Sequence, residues 1–486
     1  MKKINEIIKK KYDDLDERIL QFGEGNFLRA FADWMIDLTN ENNNSMGRVV
    51  IVQPIENGLV DLINSQNGLY TLSIKGNDKG KAKIKNRIIH SVSRAINPYE
   101  NFEEYIKFAE SEKLEIVISN TTEAGISYKK EEYKENEIQN TFPAKVTQLL
   151  YKRYLKFDGD KNKGLLFLPV ELIDNNGYML KKYVLQYSKE WELPEEFIKW
   201  VNECNEFAST LVDRIVTGRP KPEEREEFYK ENNYIDELLV TSELFNLWVI
   251  EADESWKEKF NVLSDEANVI WTNDVSPYKK RKVRILNGGH TSTVPAAFYH
   301  GYNIVRDFMK DDIFYKYLNK MFEEEIIPTI DLDRNELINF KNEVNFRFEN
   351  PYVDHKLLDI TLNSISKWNA RVLPSLVDYY NENNKIPKLL TFSLAALIKF
   401  YDIEKENGSY YGINENDKKY EVKDDKDNLE LFVKLKESNN YLDEVLANKT
   451  LWKYDFDKLG NFKEQVKSFY EQIENKGIRT VIEGLF

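Results

Sequence analysis

The amino-terminal segment places a short apolar strand, a glycine-rich turn, an amphipathic helix and a second apolar strand in direct succession. The first strand is predicted at residues 18–22, and the turn is Gly23-Glu24-Gly25-Asn26-Phe27. Apolar residues at helical spacing indicate the helix, and the apolar run at 49–52 indicates the second strand. Glycine lets the backbone approach a pyrophosphate, which then faces the N-terminal end of the helix. This order is typical of the βαβ unit that opens a dinucleotide-binding fold.

The glycine motif departs from the usual pattern at two positions. Leu28 stands where the third glycine of G-x-G-x-x-G would fall, and Gln53 ends the second strand in place of Asp or Glu. Gln53 can hydrogen-bond a ribose hydroxyl, but it neither repels a 2′-phosphate as a carboxylate would nor attracts it as arginine would. The residues alone therefore do not decide between NAD and NADP as the cofactor. A Gly-x-Gly sequence is also compatible with a plain turn that binds no cofactor.

Strand and helix candidates alternate through the first half of the chain. Further strands are predicted at 70–74, 87–92, 114–119 and 164–168, and helices at 102–108 and 143–154. This alternation predicts a mainly parallel sheet with helices on both faces, where ligands bind beyond the carboxyl ends of the strands. The polar loop at 119–125 ends one such strand. It can contact a nicotinamide or be a plain turn.

The pattern becomes helical from Pro277 onward. Apolar residues recur at helical spacing near 294–298, 313–321, 357–365 and 389–400, clear strands are not found, and the charged stretch 418–427 is predicted to be a solvated loop or hairpin. We therefore predict an α/β fold class. A Rossmann-like, nicotinamide-cofactor-binding domain is expected over residues 1–276 and a mainly α-helical substrate and catalytic domain over 277–486.

Composition excludes several classes of protein. The 486 residues carry 83 acidic and 69 basic side chains, a formal charge of −14, so non-specific binding to nucleic acid or anionic lipid is not expected. Cys204 is the single cysteine, and the four histidines show no zinc-ligand spacing. The charged amino terminus lacks the apolar core of a secretory signal, and the longest apolar stretch, 389–398, reaches about half a membrane span. We expect a cytoplasmic protein, and the sequence carries no signal for its oligomeric state.

The run from Lys282 to His290 contains three side chains suited to proton transfer at a carbonyl oxygen. In a continuous α-helix Asn287 would lie roughly 140° and His290 roughly 80° from Lys282, so all three can address one cleft. Lysine can act as an acid or base, while an amide and an imidazole can hydrogen-bond an oxygen that gains negative charge. Alone, the spacing is weak evidence, because Gly288-Gly289 can simply mark a bend or a close helix contact. The predicted domain boundary places this run at the mouth between the domains, a usual location for a small-molecule site.

Three features together resemble the polyol-specific long-chain dehydrogenase/reductase family, also called the mannitol dehydrogenase family. They are the run Gly23-Glu24-Gly25-Asn26-Phe27-Leu28-Arg29-Ala30-Phe31, the triplet Asp213-Arg214-Ile215, and the pattern of Lys282, Asn287 and His290. The resemblance covers nearly the whole chain. It implies a metal-independent oxidoreductase in which Lys282 is the general acid/base and Asn287 and His290 polarise the carbonyl. Some relatives carry an acidic residue three positions before the lysine, where this chain has Lys279.

The resemblance also implies NAD as the cofactor. It is expected to lie against the glycine turn, the end of the second strand and the loop that follows residue 119. The candidate cofactor-binding residues are Phe22, Gly23, Gly25, Asn26, Phe27, Arg29, Gln53, Asn120, Thr121 and Glu123.

Further motifs resemble the members of the family that reduce D-tagaturonate to D-altronate. They are Ser119-Asn120-Thr121-Thr122-Glu123-Ala124-Gly125-Ile126, Phe142-Pro143-Ala144-Lys145, Pro169-Val170-Glu171-Leu172-Ile173 with Asn176-Gly177, Arg347-Phe348-Glu349-Asn350-Pro351, and Ser366-Lys367-Trp368 with Arg371-Val372-Leu373-Pro374. A uronate needs a partner for its carboxylate, which a bidentate guanidinium provides best. Arg371 is the first candidate, followed by His355 and Lys367. Asp213 corresponds to a substrate-pocket aspartate of the family, although an Asp-Arg pair can equally be a structural salt bridge.

Other activities of the family share the same three catalytic candidates. They are fructuronate reduction and the oxidation of mannitol or mannitol 1-phosphate. A phosphorylated substrate should require an additional Arg/Lys cluster, whereas an uncharged polyol should make Arg371 dispensable. A non-catalytic nucleotide-sensing protein is the alternative from another class, and the presence of Lys282, Asn287 and His290 together argues against it.

Overall fold

The computed structural model describes residues 1–42, 45–122 and 124–486. The chain divides into two compact units. The first unit comprises Met1–Gly76 and Lys83–Val275, and the second comprises Asn77–Ala82 and Ser276–Phe486. The short segment Asn77–Ala82, which is the tip of a β-hairpin, thus groups with the carboxyl-terminal half of the chain.

The first unit is built on a parallel sheet. Its strands lie in the order Val92–Ile96, Arg48–Val52, Glu17–Phe22, Ile116–Ser119, Leu166–Pro169 and Glu206–Phe207. The described helices of this unit are Ile4–Ile7, Asn26–Ala30, Ala32–Glu41, Val60–Ser65, Phe102–Ala109, Phe142–Lys156, Asn176–Glu190, Glu195–Cys204 and Pro222–Asn232, with 3₁₀ turns at Lys161–Lys163 and Glu254–Phe260. This sheet and the helical second unit confirm the predicted fold class.

Two separate cores cover the two faces of the parallel sheet. Ile19, Val49 and Ile51 belong to one core, while Leu20 and Val50 belong to the other. Successive side chains of a strand point to opposite faces, so a strand buried on both faces is apolar at every position. That requirement explains why uninterrupted apolar runs, rather than alternating ones, marked these strands in the sequence.

Two of the predicted strands do not belong to the parallel sheet as expected. Tyr70–Asp78 lies in a second sheet, in the order Val216–Gly218, Val240–Ser242, Tyr70–Asp78 and Lys81–Ile89. The predicted strand at 87–92 is divided between Lys81–Ile89 and Val92–Ile96. Buried polar contacts interrupt it, because the His90 N–H donates to Asp37 (2.7 Å) and the Ser91 hydroxyl donates to the Asp33 carbonyl (2.7 Å). A third sheet has the order Val269–Thr272, Leu247–Glu251 and Ser209–Asp213.

The second unit is mainly helical, as predicted. Its described helices are Ser276–Arg281, Gly288–His300, Val305–Met309, Asp312–Lys320, Arg334–Phe348, Leu357–Ile360, Ser364–Arg371, Leu373–Asn383, Lys388–Phe400, Lys426–Lys436, Tyr441–Ala447, Lys449–Trp452, Phe462–Lys476 and Ile478–Glu483. Lys282–Asn287 and Met321–Ile326 are π-helical, and Ile327–Thr329 and Phe456–Leu459 are 3₁₀ turns. In the parts of the chain that the structure describes, no helix is long and apolar enough to cross a membrane.

The second unit also contains a small antiparallel sheet that was not predicted from the sequence. Its strands are Ile403–Glu406, Ser409–Ile413 and Lys419–Glu421. The last of these lies within the charged stretch that was predicted to be a loop or hairpin. Tyr410 and Tyr420 are buried, but most other side chains of these strands are charged or exposed. Such short strands carry too few apolar positions for a period of two to be detected.

Candidate active site

The glycine turn lies at the carboxyl ends of the central strands. The Asn120 N–H donates to the Phe22 carbonyl (3.0 Å), and the Gly23 N–H donates to the Val52 carbonyl (3.2 Å). Gly23 has φ +124°, and a Cβ there would lie 2.9 Å from the Asn120 carbonyl oxygen, so only glycine fits. A Cβ on Gly25 would meet no atom within 4 Å. The turn thus combines a tightly enclosed glycine, Gly23, with an open one, Gly25. It lies where the strand order of the sheet reverses, which is where ligands usually bind in such sheets.

The polar residues of the turn mostly hold the turn itself. Arg29 is buried and donates to the Glu24 carbonyl, the Leu238 carbonyl and the Asn26 side-chain oxygen. These contacts assign Arg29 a structural role in fixing the turn. The Phe22 ring is buried in the core, so only its backbone reaches the edge of the sheet. Phe27 stacks on Phe31 at 5.1 Å between ring centroids and is partly buried.

Gln53 is buried at the end of its strand. Its side-chain amide donates to the carbonyls of Ile55 and Glu56, both at 2.8 Å. A Cβ added to Gly58 would contact both the Gln53 and the Glu24 side-chain oxygens, which places these two oxygens near each other. Burial raises the pKa of Glu24. Glu24 was not predicted to be a site residue, although it occupies the variable position of the Gly-x-Gly motif.

A buried glutamate orders the loop that follows Ser119. Glu171 accepts hydrogen bonds from the Ser119 hydroxyl (3.1 Å), the Thr121 N–H (3.1 Å) and the Thr121 hydroxyl (3.0 Å). Burial raises the pKa of Glu171, while these donors act in the opposite direction. Thr122 has φ +116°, a conformation that costs a non-glycine residue roughly 1–3 kcal/mol and is concentrated at functional sites. Glu123, the last of the predicted cofactor-binding residues, lies outside the described residues.

Lys282, Asn287 and His290, here called the triad, lie on one continuous helical run from Ser276 to His300, here called the triad helix. Its middle part, Lys282–Asn287, is π-helical, and the Gly288 N–H accordingly donates to the Val283 carbonyl five residues earlier. Each residue of a π-helix turns by only about 80°, so Asn287 lies roughly 40° from Lys282 and His290 roughly 20° to the other side. The angles predicted for an α-helix were wrong. The π-helical turn brings the triad closer to a single face.

Gly288 and Gly289 allow two close contacts of the triad helix. A Cβ on Gly288 would lie 3.2 Å from the Arg371 carbonyl oxygen, and one on Gly289 would lie 2.5 Å from the Phe322 ring. Any larger residue would push the triad helix away from the end of Ser364–Arg371. The glycine pair therefore marks close packing, one of the two interpretations that the sequence left open.

His290 is stacked against an aromatic ring and surrounded by basic groups. Its ring lies 3.9 Å from that of Phe348 at 27°, and 5.3 Å from that of His355. Burial lowers the pKa of His290 well below its usual value, and basic side chains act in the same direction. They are, in decreasing order of effect, His355, Arg347, Arg371 and Lys367. His290 is therefore neutral near pH 7, and its Nδ1 has no hydrogen-bond partner among the described residues.

Arg347, His355, Lys367 and Arg371 form what we call the basic cluster. Burial lowers the pKa values of His355, Lys367 and Arg371. Lys367 donates to the Ile360 carbonyl (2.9 Å), and the Arg371 guanidinium lies 3.5 Å from the hydroxyl of Thr291. The structure thus brings the three predicted carboxylate-binding candidates to His290. It adds Arg347 and Phe348, whose signal was present in the Arg347-Phe348-Glu349-Asn350-Pro351 motif but was not interpreted.

Three other basic residues of the triad helix have carboxylate partners. Arg284 pairs with Asp378 (2.6 Å), Lys280 lies 3.6 Å from the same carboxylate, and Arg281 pairs with Glu336. These ion pairs fasten the triad helix to neighbouring helices of the second unit. Lys282 itself is partly buried.

Asp213 ends the strand Ser209–Asp213 of the first unit and is buried. The adjacent Arg214 is buried as well, and it donates to the carbonyls of Glu243 and Ala30. The Arg214 guanidinium also stacks over Trp34 at 4.2 Å. Arg214 therefore has a structural role, and the role of Asp213 in substrate binding stays a prediction.

The chain matches two family models that together span most of its length. The Mannitol dehydrogenase Rossmann domain matches residues 17–262, and the Mannitol dehydrogenase C-terminal domain matches residues 274–474. Among curated proteins, the altronate oxidoreductase of Escherichia coli O7:K1 (strain IAI39 / ExPEC) is 42% identical over 478 residues, covering 96% of this chain and 97% of its own. The altronate oxidoreductase of Shigella flexneri shows the same identity and coverage.

Two solved structures share the fold at low sequence identity. D-sorbitol dehydrogenase in its substrate-free form has a TM-score of 0.80 and 20% identity, covering 97% of this chain and 96% of its own. Pseudomonas fluorescens mannitol 2-dehydrogenase, in a ternary complex with NAD and D-mannitol, has a TM-score of 0.64 and 20% identity, covering 98% and 95%. Both likenesses extend over the whole architecture.

Proposed function

The chain belongs to the mannitol dehydrogenase family, and on that premise we propose that it is an NAD-dependent oxidoreductase that reversibly reduces D-tagaturonate to D-altronate. The relatives named altronate oxidoreductase support this substrate, because they are 42% identical over nearly the full length of both chains. In this proposal the enzyme acts on a CH–OH group, and its substrate is a sugar acid.

The observation that carries the proposal is the environment of His290. A neutral imidazole can donate a hydrogen bond to a carbonyl oxygen without itself needing a counter-ion. The groups with the largest electrostatic effect on it are all basic, which favours a ligand that brings a negative charge. A keto-uronate meets both conditions, since it presents a ketone to the triad and a carboxylate to the basic cluster.

The residues at the edge of the first sheet fit a dinucleotide. Gly25 exposes its backbone just beyond the first strand, and the space beside it is open. Gln53 and Glu24 present an amide and a carboxyl group, which accept hydrogen bonds from ribose hydroxyls but offer a 2′-phosphate no positive charge. That combination supports NAD over NADP. When bound, the cofactor supplies the hydride.

The triad performs the proton chemistry in this proposal. The Lys282 ammonium donates a proton to the oxygen of the substrate ketone as that oxygen gains negative charge, and the neutral amine takes it back in the reverse direction. The Asn287 amide and the His290 imidazole donate hydrogen bonds to the same oxygen. Arg371 binds the substrate carboxylate, with His355 and Lys367 beside it. Asp213 is proposed to contact a substrate hydroxyl.

A panel of ketone substrates tests the function. NADH and NADPH oxidation would be followed with D-tagaturonate, D-fructuronate, D-fructose and D-fructose 6-phosphate, and the products would be identified by chromatography. We expect the highest kcat/KM with D-tagaturonate and NADH, and D-altronate as the product. A higher kcat/KM for another ketone would assign the chain to a different activity of the family. Cofactor binding without turnover of any ketone would instead indicate a nucleotide-sensing protein.

A further inference from the structure

We propose that Asp33 is a positioning residue for the cofactor. In its protonated form it donates a hydrogen bond to the side chain of Gln21 and thereby holds the glycine turn in the shape that binds NAD. The inference rests on the proposed function, because NADH binding is one of its readouts, and it adds a proton-linked control of that binding. Neither residue is among the predicted site residues.

Two side-chain oxygens beneath the glycine turn have no hydrogen-bond partner among the described residues. They are Oε1 of Gln21 and Oδ1 of Asp33, and both side chains are fully buried. Gln21 lies on the strand Glu17–Phe22, and Asp33 lies on the helix Ala32–Glu41. Buried polar atoms are almost always paired, so two neighbouring acceptors without a donor indicate a hydrogen that lies between them.

The orientation of the Gln21 amide follows from its other contacts. Its nitrogen donates to the Gly23 carbonyl (3.0 Å) and lies 3.5 Å from Oδ2 of Asp33. A backbone carbonyl only accepts hydrogen bonds, so the amide nitrogen rather than the amide oxygen must face Gly23. A carboxylate has no hydrogen to offer the amide oxygen. A protonated Asp33 does, and the acid and the amide can then pair, with N–H donating to Oδ2 and O–H donating to Oε1.

The surroundings of Asp33 favour the neutral acid. Burial raises the pKa of Asp33 to about 7, and the charge of Asp37 on the same helix acts in the same direction. The Tyr70 hydroxyl, the Gln21 amide and the charge of Arg29 act in the opposite direction without outweighing burial. The Arg29 guanidinium does not neutralise Asp33 directly, because it donates to two backbone carbonyls and an asparagine side chain.

Tyr70 links the same carboxyl group to the helix Asn26–Ala30, which begins within the glycine turn. Its hydroxyl lies 2.8 Å from the Arg29 carbonyl and 3.1 Å from Oδ2 of Asp33. One hydroxyl hydrogen cannot satisfy both acceptors, and a carboxylate is a stronger acceptor than a neutral carbonyl. The hydrogen therefore goes to the Arg29 carbonyl when Asp33 is neutral, and ionisation of Asp33 draws it away.

Ionisation of Asp33 thus removes two hydrogen bonds from the segment that binds the cofactor. A carboxylate repels the Gln21 amide oxygen, so the amide turns its nitrogen toward the carboxylate and releases the Gly23 carbonyl. Tyr70 releases the Arg29 carbonyl in the same step. In dinucleotide-binding folds this turn and the start of its helix contact the pyrophosphate. We therefore expect NADH to bind less tightly as the pH rises through 7.

Infrared spectroscopy detects the proton on Asp33 directly. A protonated carboxyl group has a carbonyl stretching band that a carboxylate lacks, and this band shifts in D₂O. Subtracting the spectrum of Asp33→Asn from that of wild type separates the band of Asp33 from those of other buried acids. We expect the band in this difference at pH 6 and its loss by pH 9. Asp61→Asn, at an exposed position of the helix Val60–Ser65, is the matched control and should give no such band.

Fluorescence titration with NADH between pH 6 and 9 tests the link to the cofactor. The wild-type Kd should rise about tenfold over this range, as expected if binding raises the pKa of Asp33 by about one unit. Asp33→Asn should keep a low Kd that varies less than about twofold, because its amide can pair with Gln21 as the neutral acid does. Gln21→Leu should bind NADH weakly at every pH and lose the pH dependence, while the acid band of Asp33 remains.

The possible outcomes separate this inference from the proposed function. A wild-type Kd that does not change with pH, or a difference spectrum without the acid band, would overturn the inference and leave the proposed function intact. A pH dependence that persists in folded Asp33→Asn would assign the titration to another group and overturn it as well. If NADH binds at no pH, the proposed function fails and the role of Asp33 fails with it. Urea unfolding verifies that each variant is folded. If Asp33→Asn does not fold, the wild-type spectra at pH 6 and 9 and the Gln21→Leu titration decide.

Discussion

Two regions of the molecule bury ionisable groups of opposite charge. The sheet edge and glycine turn of the first unit bury acidic groups, whereas the region around the triad in the second unit buries basic groups. At the edge of the parallel sheet and beneath the glycine turn, burial raises the pKa values of Glu24, Asp33 and Glu171. Around the triad, burial lowers the pKa values of basic groups, including His290 and Arg371. In both regions desolvation disfavours the charged form of the side chain.

The two regions differ in how that cost is offset. Glu171 accepts three hydrogen bonds from the Ser119 loop, so its buried carboxyl group is satisfied without a ligand. Burial is the main cause of the lowered pKa of His290, and the charged groups that add to it are all basic, so an anion would relieve their mutual repulsion. Although the chain carries a net charge of −14, the basic cluster is a local region of positive charge, which suits the proposed anionic substrate. In the proposed function, the first region shapes backbone for the cofactor, and the second supplies positive charge for the substrate.

The largest effect is expected from removing Lys282, the proposed proton donor of the second region. Lys282→Ala should lower kcat for D-tagaturonate reduction by about 10³ or more, because proton transfer and stabilisation of the oxyanion are both lost. Binding of NADH, measured by fluorescence titration, should stay within twofold of wild type. If the affinity for NADH fell as much as kcat, Lys282 would also contribute to cofactor binding, and the two regions would not have separate roles.

A somewhat smaller effect is expected at Asn287. Asn287→Ala should lower kcat by about 10² to 10³, which is the usual cost of removing one donor to a developing oxyanion. Asn383→Ala, at an exposed position of another helix, is the matched control and should leave kcat unchanged. Steady-state kinetics at saturating NADH separates kcat from KM. A rise in KM alone would mean that Asn287 binds substrate without contributing to the chemical step.

The glycine turn offers a matched pair in the first region. Gly23→Ala meets a positive φ and the Asn120 carbonyl, so it should destabilise the protein by about 1–2 kcal/mol or more and weaken NADH binding at least tenfold. Gly25→Ala meets open space and should leave the stability unchanged. It should still weaken NADH binding if the backbone there contacts the pyrophosphate. Denaturant unfolding and NADH titration of both variants make the comparison, and equal stabilities would refute the enclosed position of Gly23.

The opposite pKa shifts predict opposite dependences of stability on pH. Asp33 has a pKa raised to about 7, so the folded state retains a proton that the unfolded state releases above pH 4. Its contribution to stability is therefore lost as pH rises from about 4 through 7, by about 1 kcal/mol per pH unit. Asp33→Asn should flatten that decline.

His290 has a lowered pKa, so protonation favours the unfolded state and stability falls as pH drops below about 6.5. His290→Asn should flatten this acidic decline and leave the neutral range unchanged. Urea unfolding of both variants across pH 5 to 8 checks both slopes. Parallel curves for wild type and a variant would mean that the substituted group does not titrate differently on folding.

Much of the first region could be predicted because its signals are local. The strand, glycine turn and helix at 17–41 are adjacent in sequence, and apolar runs identify strands that are buried on both faces. Local sequence could not predict that Tyr70–Asp78 belongs to another sheet, because this depends on its pairing with the distant strand Val240–Ser242. Glu171 was likewise missed, because it reaches the Ser119 loop from a segment about fifty residues away.

For the second region, the sequence indicated which residues to consider but not how they are arranged in space. Lys282, Asn287 and His290 share one short segment, which made their spacing visible. The π-helical turn was not predicted, because helix periodicity assumes hydrogen bonds to the fourth preceding residue. The Phe348 ring stacks on His290 from a separate helix, and only the folded chain brings the two together.

Chemical rescue of Lys282→Ala tests directly whether Lys282 transfers the proton. D-Tagaturonate reduction by this variant would be followed with NADH while small primary amines of different pKa are added. We expect the rate to rise with amine concentration and to depend on the pKa of the amine, while wild type does not respond. A folded variant that binds NADH, yet retains near-normal turnover or stays inactive with every amine, would contradict the claim.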